Sequence, residues 1–526
     1  MKKKNILSLF LAGAAMIFTM PSCMNLDETV YDKLPADNFG NTEVEINSLI
    51  GTVHNTLKKY WPGNFRSLSE NAGSMAVTPT RKGGDWYDGG QYREIYMHTW
   101  TSNTNAIKGG WGDASSAIGT CNATIEVLKN SEILSDADKT MKVAEVRGIR
   151  AFWIYVMLDN WGNIPLVTDY NDKELPSCKS RQEVFDWLLT EVQEISTQCP
   201  DASAETYGQF TKGTANTLLA KMYLNADAWG VTTSGNNYQQ VIENCDKVLA
   251  TDYYILEPVW KDNFSITNNK SREAILACSF SSSDTENQNQ NQMMNQTLHY
   301  KDQLALGGSF SAWNGVSAQP EYVKLFPEDD PRLGWTFLIG QQYDLKTGEA
   351  LVTDHGFPLN HTIDIEMLPG TEYDGTAWGA VNQHDGARCL KWDYADDLVD
   401  AMENDFHIFR LADVYLMKAE ALLRSGGSVS EATQLVNAIR ERAYGDSSHN
   451  YESVDLDKVQ LERRLELAWE NFSRQDDIRF GCFDKGMWPA SNCTRATGDH
   501  LKIYPVSQDA WQTNPNLTQN PGYPAF

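Results

Sequence analysis

Aromatic rings set among glycines and hydroxyl-binding side chains are the residues of this chain whose types and spacing point to chemistry. They occur first in Arg81-Lys-Gly-Gly-Asp-Trp-Tyr-Asp-Gly-Gly90, where Trp86 and Tyr87 follow no helical or strand period that would carry them into a core. They recur after a polar, low-complexity run from Ser281 to Gln296, as Tyr300 and then as Trp313 in Gly307-Gly-Ser-Phe-Ser-Ala-Trp-Asn-Gly315. A third stretch holds Trp378, His384, Asp385, Arg388, Trp392 and Tyr394. A sugar ring has flat apolar C–H faces edged with hydroxyls, so it is held by exposed aromatic faces flanked by Asn, Asp or Arg. The first two stretches supply that mixture, with Asp85, Arg81 and Arg388 as candidate hydroxyl partners. The competing expectation for each tryptophan is a loop residue folded back onto the core.

Other chemistries lack their residues. The chain has no HExxH, no GxSxG, no GxxxxGK and no GxGxxG, and its nine histidines are scattered without ligand spacing. Besides Cys23 there are eight cysteines and no CxxC pair, so neither a metal nor another cofactor is expected. Several of these cysteines lie inside apolar helical patterns, which favours buried thiols over the closest disulfide, Cys482 with Cys493. Seventy acidic residues offer many carboxylate pairs for glycoside hydrolysis, but no local pattern singles out two of them, and an acid-rich surface is the simpler expectation.

The helices that must position these loops are marked by their caps. Ser135 with Asp138, Ser180 with Glu183, and Ser428 with Glu431 each stand just before an apolar-periodic run. Val184, Leu188, Val192 and Ile195 form one amphipathic face, and Val429, Ala432, Leu435, Ile439 and Ala443 form another. Helices of similar length come in pairs: Ala215 to Leu224 before Tyr238 to Ala250, and Leu411 to Leu423 before Glu431 to Ala443. Ala220 and Ala419 let such helices approach closely, in the manner of tetratricopeptide-type pairs, although the spacing is no clean repeat. Near the end, Val459, Leu461, Leu465, Ala468, Trp469 and Phe472 share helical spacing, which predicts one buried stripe and a wet face of arginine and glutamate. The proline- and asparagine-rich close predicts an ordered surface loop. Length alone allows several domains, but no Pro- or Ser-rich linker divides the chain. The fold class is therefore mostly α: one domain from Cys23 to Phe526, with helical pairs over about 40–60, 114–250 and 405–475 and loop-rich regions over about 61–113 and 260–400.

Lys2, Lys3 and Lys4 precede an apolar stretch from Ile6 to Met20 that is too short to span a bilayer, which predicts a secretion leader over residues 1–22. Ser22 before Cys23 predicts lipidation of Cys23 and a domain held to a membrane by acyl chains, although Met20 and Pro21 depart from the usual processing pattern. Loss of the leader takes the net charge from −26 to −29, a surface that repels nucleic acid and anionic lipid.

Three segments near the C-terminus carry a family resemblance: the helix Leu461-Glu-Arg-Arg-Leu-Glu-Leu-Ala-Trp469, the strand-like Ile503-Tyr-Pro-Val-Ser507, and Asn514-Pro-Asn-Leu-Thr-Gln-Asn-Pro-Gly-Tyr523. With Arg147-Gly-Ile-Arg-Ala-Phe-Trp153, Asn160-Trp-Gly-Asn-Ile-Pro-Leu-Val167, Phe210-Thr-Lys-Gly-Thr-Ala215, Phe409-Arg-Leu-Ala-Asp413 and Asn437-Ala-Ile-Arg-Glu-Arg-Ala443, in this order, the chain resembles the SusD/RagB family of outer-membrane nutrient-binding lipoproteins. These motifs read as structural: Arg147 and Arg150 can pair with acids, Trp161-Gly162 ends a long helix and Thr211 caps the next. The resemblance implies four helical pairs, and a glycan platform drawn from an early loop and from the region between the pairs, hence Trp86 and Trp313 with Tyr300 next. It implies a non-catalytic, lipid-anchored protein at the outer surface of a Gram-negative cell, capping a SusC-like TonB-dependent barrel as a hinged lid that captures oligosaccharide for import. An extracellular glycosidase, and a lid that binds peptide or no ligand, are the alternatives.

Overall fold

Helices form where the caps place them. The Ser135 hydroxyl accepts from Asp138 N, Ser428 accepts from Glu431 N, and Ser180 and Thr211 each close a capping box. The computed structural model describes residues 40–281, 291–308, 310–372, 378–394, 402–489 and 493–526, so the leader, Cys23 and part of the Ser281 to Gln296 run fall outside the described residues. Nine helices of twelve residues or more are described: α1 (Glu43–Asn55), α2 (Asn105–Asn130), α3 (Asp136–Trp161), α4 (Arg181–Ile195), α5 (Lys212–Trp229), α6 (Asn237–Leu249), α7 (Leu411–Arg424), α8 (Val429–Tyr444) and α9 (Leu456–Leu467). Among them no helix is long and apolar enough to cross a membrane.

The helices stack in chain order. α2 packs on α3, α3 on α4, α4 on α5 and α5 on α6; α6 then packs on α7, which pairs with α8 and meets α9. Ala220 and Ala419 are fully buried, and Gly148 lies so near Phe210 that an added Cβ would stand 2.2 Å from Cδ1 of the ring, which gives the Arg147-Gly-Ile-Arg motif its glycine. Its arginines hold α3 to α4, Arg147 and Arg150 both bonding Glu191 at 2.7 Å.

Residues 250–410 are inserted between α6 and α7. Both ends of the insertion are clamped by one antiparallel pair, Ala274–Cys278 with Phe406–Arg410, in which every residue is buried. The rest of the insertion is held by two-residue strands: Ser317–Ala318 against Ala76–Val77, Phe337–Leu338 against Arg388–Cys389, and Gly340–Gln341 against Asn360–His361. Loop-rich chain thus rests on a rigid helical frame. Residues Gly40–Phe526 form one compact unit.

The C-terminal motifs differ from expectation in three ways. α9 ends at Leu467, and Trp469 (φ +69°) and Asn471 (φ +64°) turn the chain, so Ala468, Trp469 and Phe472 are buried without continuing the helix. The arginine and glutamate face is not wet. Glu462, Arg463 and Glu466 are buried: Arg332 bonds Glu462 at 2.7 Å and Glu466 at 3.1 Å, Arg410 bonds Glu466 at 2.7 Å and Glu470 at 2.6 Å, and Arg442 bonds both Glu466 and Glu273. Helical spacing located the apolar stripe but could not show that distant arginines cover the other face. Finally, Ile503 to Ser507 forms no strand, whereas the close is the ordered surface loop expected, mostly exposed and pinned where Tyr504 donates to Leu68 O and Asn520 Nδ2 to Trp161 O, each at 2.6 Å. All eight cysteines after Cys23 are free thiols, six of them buried, and burial pushes Cys121 and Cys389 up to about 12.

Candidate functional site

The first loop and the insertion meet. Trp86 sits in the left-handed region (φ +62°), and its indole Nε1 donates to Trp313 O at 2.6 Å. Its six-membered ring lies against Gly315, where an added Cβ would stand 2.4 Å from Cε2 and Cζ2. Trp313 N donates to Asn295 O at 2.6 Å and the next residue, Asn314, is also left-handed (φ +55°). Left-handed backbone at a bulky side chain costs about 1–3 kcal/mol, and such strain concentrates where a side chain must be aimed. Trp86, Tyr87, Trp313 and Tyr300 are all half-buried, so each offers part of its ring to solvent. Tyr92 backs the Trp86 ring at 5.4 Å between centroids.

Tyr300 closes the group by donating its hydroxyl to the exposed Asp85 carboxylate. Burial, and then this bond, push the Tyr300 phenol above its ordinary value, which keeps it a donor. Asp85 is itself set by a tight turn in which Arg81 N donates to Asp85 O at 2.8 Å.

Arg81 and Arg388 correct the sequence expectation. Both are fully buried and cannot reach a ligand's hydroxyls. The Arg81 guanidinium donates to the carbonyls of Asn314 at 2.9 Å, Gly315 at 2.8 Å and Asp385 at 2.7 Å. Arg388 donates to Asn314 Oδ1 at 2.9 Å and Gln383 O at 2.8 Å, and the two arginines share the Ser317 hydroxyl. Their donors are spent on the loop backbone and on the side chains of Asn314 and Ser317, where they fix Asn314 and Gly315 against Trp86. Burial lowers both, Arg388 to about 10, while Asp302 and Asp385 pull it the other way. The third stretch is likewise inward: Trp378 and Trp392 are core residues, and Trp378 packs edge-on against Trp488 at 5.2 Å.

Phe357 was missed. It is 42% exposed beside the first loop, with the Lys82 ammonium 5.2 Å from its ring centre. A lone ring between glycine and proline in Gly356-Phe-Pro358 was the available signal.

The platform is a surface and not a cavity. A small void of about 30 Å³ lies among Tyr60, Tyr155 and Arg474 and is lined by none of the platform residues. Among the described residues no group of three His, Cys, Asp or Glu is arranged to hold a metal. What the arrangement can do is stack flat apolar faces and bond hydroxyls at their rims.

Stacked helical pairs with an inserted, loop-rich aromatic face define a class of helical scaffold that presents a ligand surface. Comparison with known proteins places the chain within it. Residues 272–523 match the SusD family. The chain is 27% identical over 430 residues, 75% of each chain, to the starch-binding protein SusD of Bacteroides thetaiotaomicron, and 23% identical to the SusD-like protein P2 of Formosa agariphila over 97% of this chain and 98% of that one. Among solved structures it is similar to a laminarin binding SusD-like protein (TM-score 0.71, 23% identity, 92% of this chain and 100% of that one). It is also similar to surface glycan-binding protein A of Bacteroides thetaiotaomicron in complex with laminarihexaose (TM-score 0.71, 18% identity, 91% and 99%). The SusD family match covers residues 272–523, a little under half of the chain, and the similarity to SusD and SusD-like proteins extends over most of its length.

Proposed function

We propose that this protein is a non-catalytic, cell-surface glycan-binding lipoprotein that captures oligosaccharide on the platform of Trp86, Trp313 and Tyr300, with Asp85 and Tyr87 at its rim. The observation that carries this is the strained, bonded pairing of Trp86 with Trp313 over Gly315. The Trp86 ring is held partly in water by its own bond and by backbone strain, beside the half-buried Trp313, a cost that solubility alone would not maintain. Starch, laminarin and laminarihexaose in the names of similar proteins favour a neutral glucan. Acylation of Cys23 would anchor the chain, and a SusC-like TonB-dependent barrel would receive the sugar, with this protein as its hinged lid.

A glycan array names the ligand, and titration calorimetry tests the site. Trp86→Ala and Trp313→Ala are each expected to weaken binding about tenfold, the loss of one stacked ring with its rim contacts. Unchanged affinity in both variants sinks the platform. A loss at Trp313 alone removes the first loop from it. Release of reducing ends from the bound glycan by clean protein would make the chain a glycosidase instead.

A further inference from the structure

Beside the platform a tight turn lifts one more ring into solvent. Gly356 (φ +79°) lets the chain reverse between Thr353 and Phe357, with Gly356 N donating to Thr353 O at 3.0 Å, Thr353 N to Phe357 O at 2.8 Å and Phe357 N to the Thr353 hydroxyl at 3.2 Å. Val352 and Pro358 pair at its base, and Thr353 is buried. The turn is therefore built by its own hydrogen bonds, while the Phe357 ring rests tilted against the His384 ring at 5.9 Å between centroids. Phe357 has no polar atom to solvate, yet it is 42% exposed.

The turn leans on the first loop. His355 Nε2 donates to the Lys82 carbonyl at 3.1 Å, and the Lys82 ammonium stands over the Phe357 ring. Lys301, the neighbour of Tyr300, donates to Val352 O at 2.7 Å and pairs with Asp354 at 3.0 Å. Lys82, Asp85 and Trp86 belong to one short loop, and Tyr300 is bonded to Asp85. Phe357 thus continues the row of Trp313, Trp86 and Tyr300, with Lys82, His355 and Asp354 supplying polar groups at its edge.

We propose that Phe357 is a further stacking subsite of the same surface, and that its ligand is a neutral oligosaccharide long enough to run from Trp313 to Phe357. This rests on the glycan reading above. Length follows from the continuity of the row. Neutrality follows from balanced charge: the exposed Asp85 and Asp88 stand against Lys82, Lys301 and Asp354 pair with each other, the two buried guanidiniums are spent within the protein, and a net charge of −26 disfavours an anionic ligand.

Calorimetry on the full-length chain in mild detergent, with laminarihexaose and maltohexaose against laminaribiose and maltose, tests it. Phe357→Ala is expected to weaken the bound hexaose about fivefold and leave the matching disaccharide within twofold, whereas Trp313→Ala weakens both. Leu345→Ala, an aliphatic residue 65% exposed in the preceding turn between Tyr343 and Ala350, serves as the control and is expected to change neither. If Phe357→Ala leaves hexaose affinity unchanged while Trp313→Ala lowers it, the subsite is wrong and the platform stands. An equal loss in Leu345→Ala would mark a general apolar contact, such as a protein-docking patch, and overturn the proposal. Failure of the wild type to bind either hexaose would remove the neutral-glucan reading and this inference together.

Discussion

At the scale of single residues the site turns on an atom that is missing. Gly315 carries no positive φ that would itself demand glycine; its requirement is the indole of Trp86, 2.4 Å from where a Cβ would be. Gly315→Ala should therefore fold, because overpacking at one buried point costs about 1–3 kcal/mol, yet the added Cβ, which would also stand 2.9 Å from Gln296 O, must push Trp86 off its bond to Trp313 O. The expected result by calorimetry is a loss of glycan affinity as large as that of Trp86→Ala, with a small fall in melting temperature. Full affinity in Gly315→Ala would mean that the position of Trp86 is immaterial. Arg81 and Arg388 act behind this contact, and their substitution would be felt through loop order before any ligand is present.

At the scale of elements the frame is held by buried charge. Glu466 on α9 faces Arg442, Arg410 and Arg332; burial alone would raise its carboxyl, but the three guanidiniums outweigh that and hold it well below the usual carboxylate range. Glu466→Ala leaves three buried cations short of a partner and is expected to cost about 3–5 kcal/mol, read as a drop in the urea midpoint. Glu321→Ala, which removes an exposed partner of Lys324, is expected to cost less than about 0.5 kcal/mol. Equal effects would contradict the burial argument. The contrast also marks what was legible. Caps at Ser135, Ser180, Thr211 and Ser428, and the two helix pairs around Ala220 and Ala419, follow from local spacing and stand as read. Partners of Glu466 lie at positions 332, 410 and 442, and no local period could bring them together. The same limit applies at the site. Sequence marked Trp86, Trp313, Tyr300 and Asp85 as ring and rim residues of glycine-rich loops, but it made Arg81 and Arg388 ligand groups, because an arginine's burial is decided by the carbonyls that other segments bring to it.

At the scale of the whole molecule two properties follow, one of stability and one of assembly. Glu70 is buried with Oε1 accepting from Phe472 N, and burial, with a smaller push from Asp477, raises it to about 8. Between about 4.5 and 8 the folded chain keeps a proton that the unfolded chain releases, so Glu70 subtracts stability as pH rises through that window. Glu70→Gln should gain on the wild type steadily over the same range, by about 1.4 kcal/mol for each pH unit until it levels off near 8, measured as urea midpoints. Parallel curves would place the ionised form in the native state. On the proposed function, assembly depends on an acylated Cys23 and a barrel partner. Cys23→Ala is expected to keep the fold and to leave the membrane fraction where no barrel is present, since no described helix can span a bilayer. A lid must also open and close over its barrel, which requires a contact that is reversible and uneven, hinged at one end and released at the other. A free surface binder needs no such contact. A tagged wild-type copy drawn from native membranes in mild detergent should therefore bring a TonB-dependent barrel with it, and added glycan should change how much is recovered, because ligand that favours the closed lid shifts that equilibrium. Recovery of no barrel from folded, acylated protein would leave a free-standing binder, whose platform at Trp86 and Trp313 would then act without a transporter beneath it.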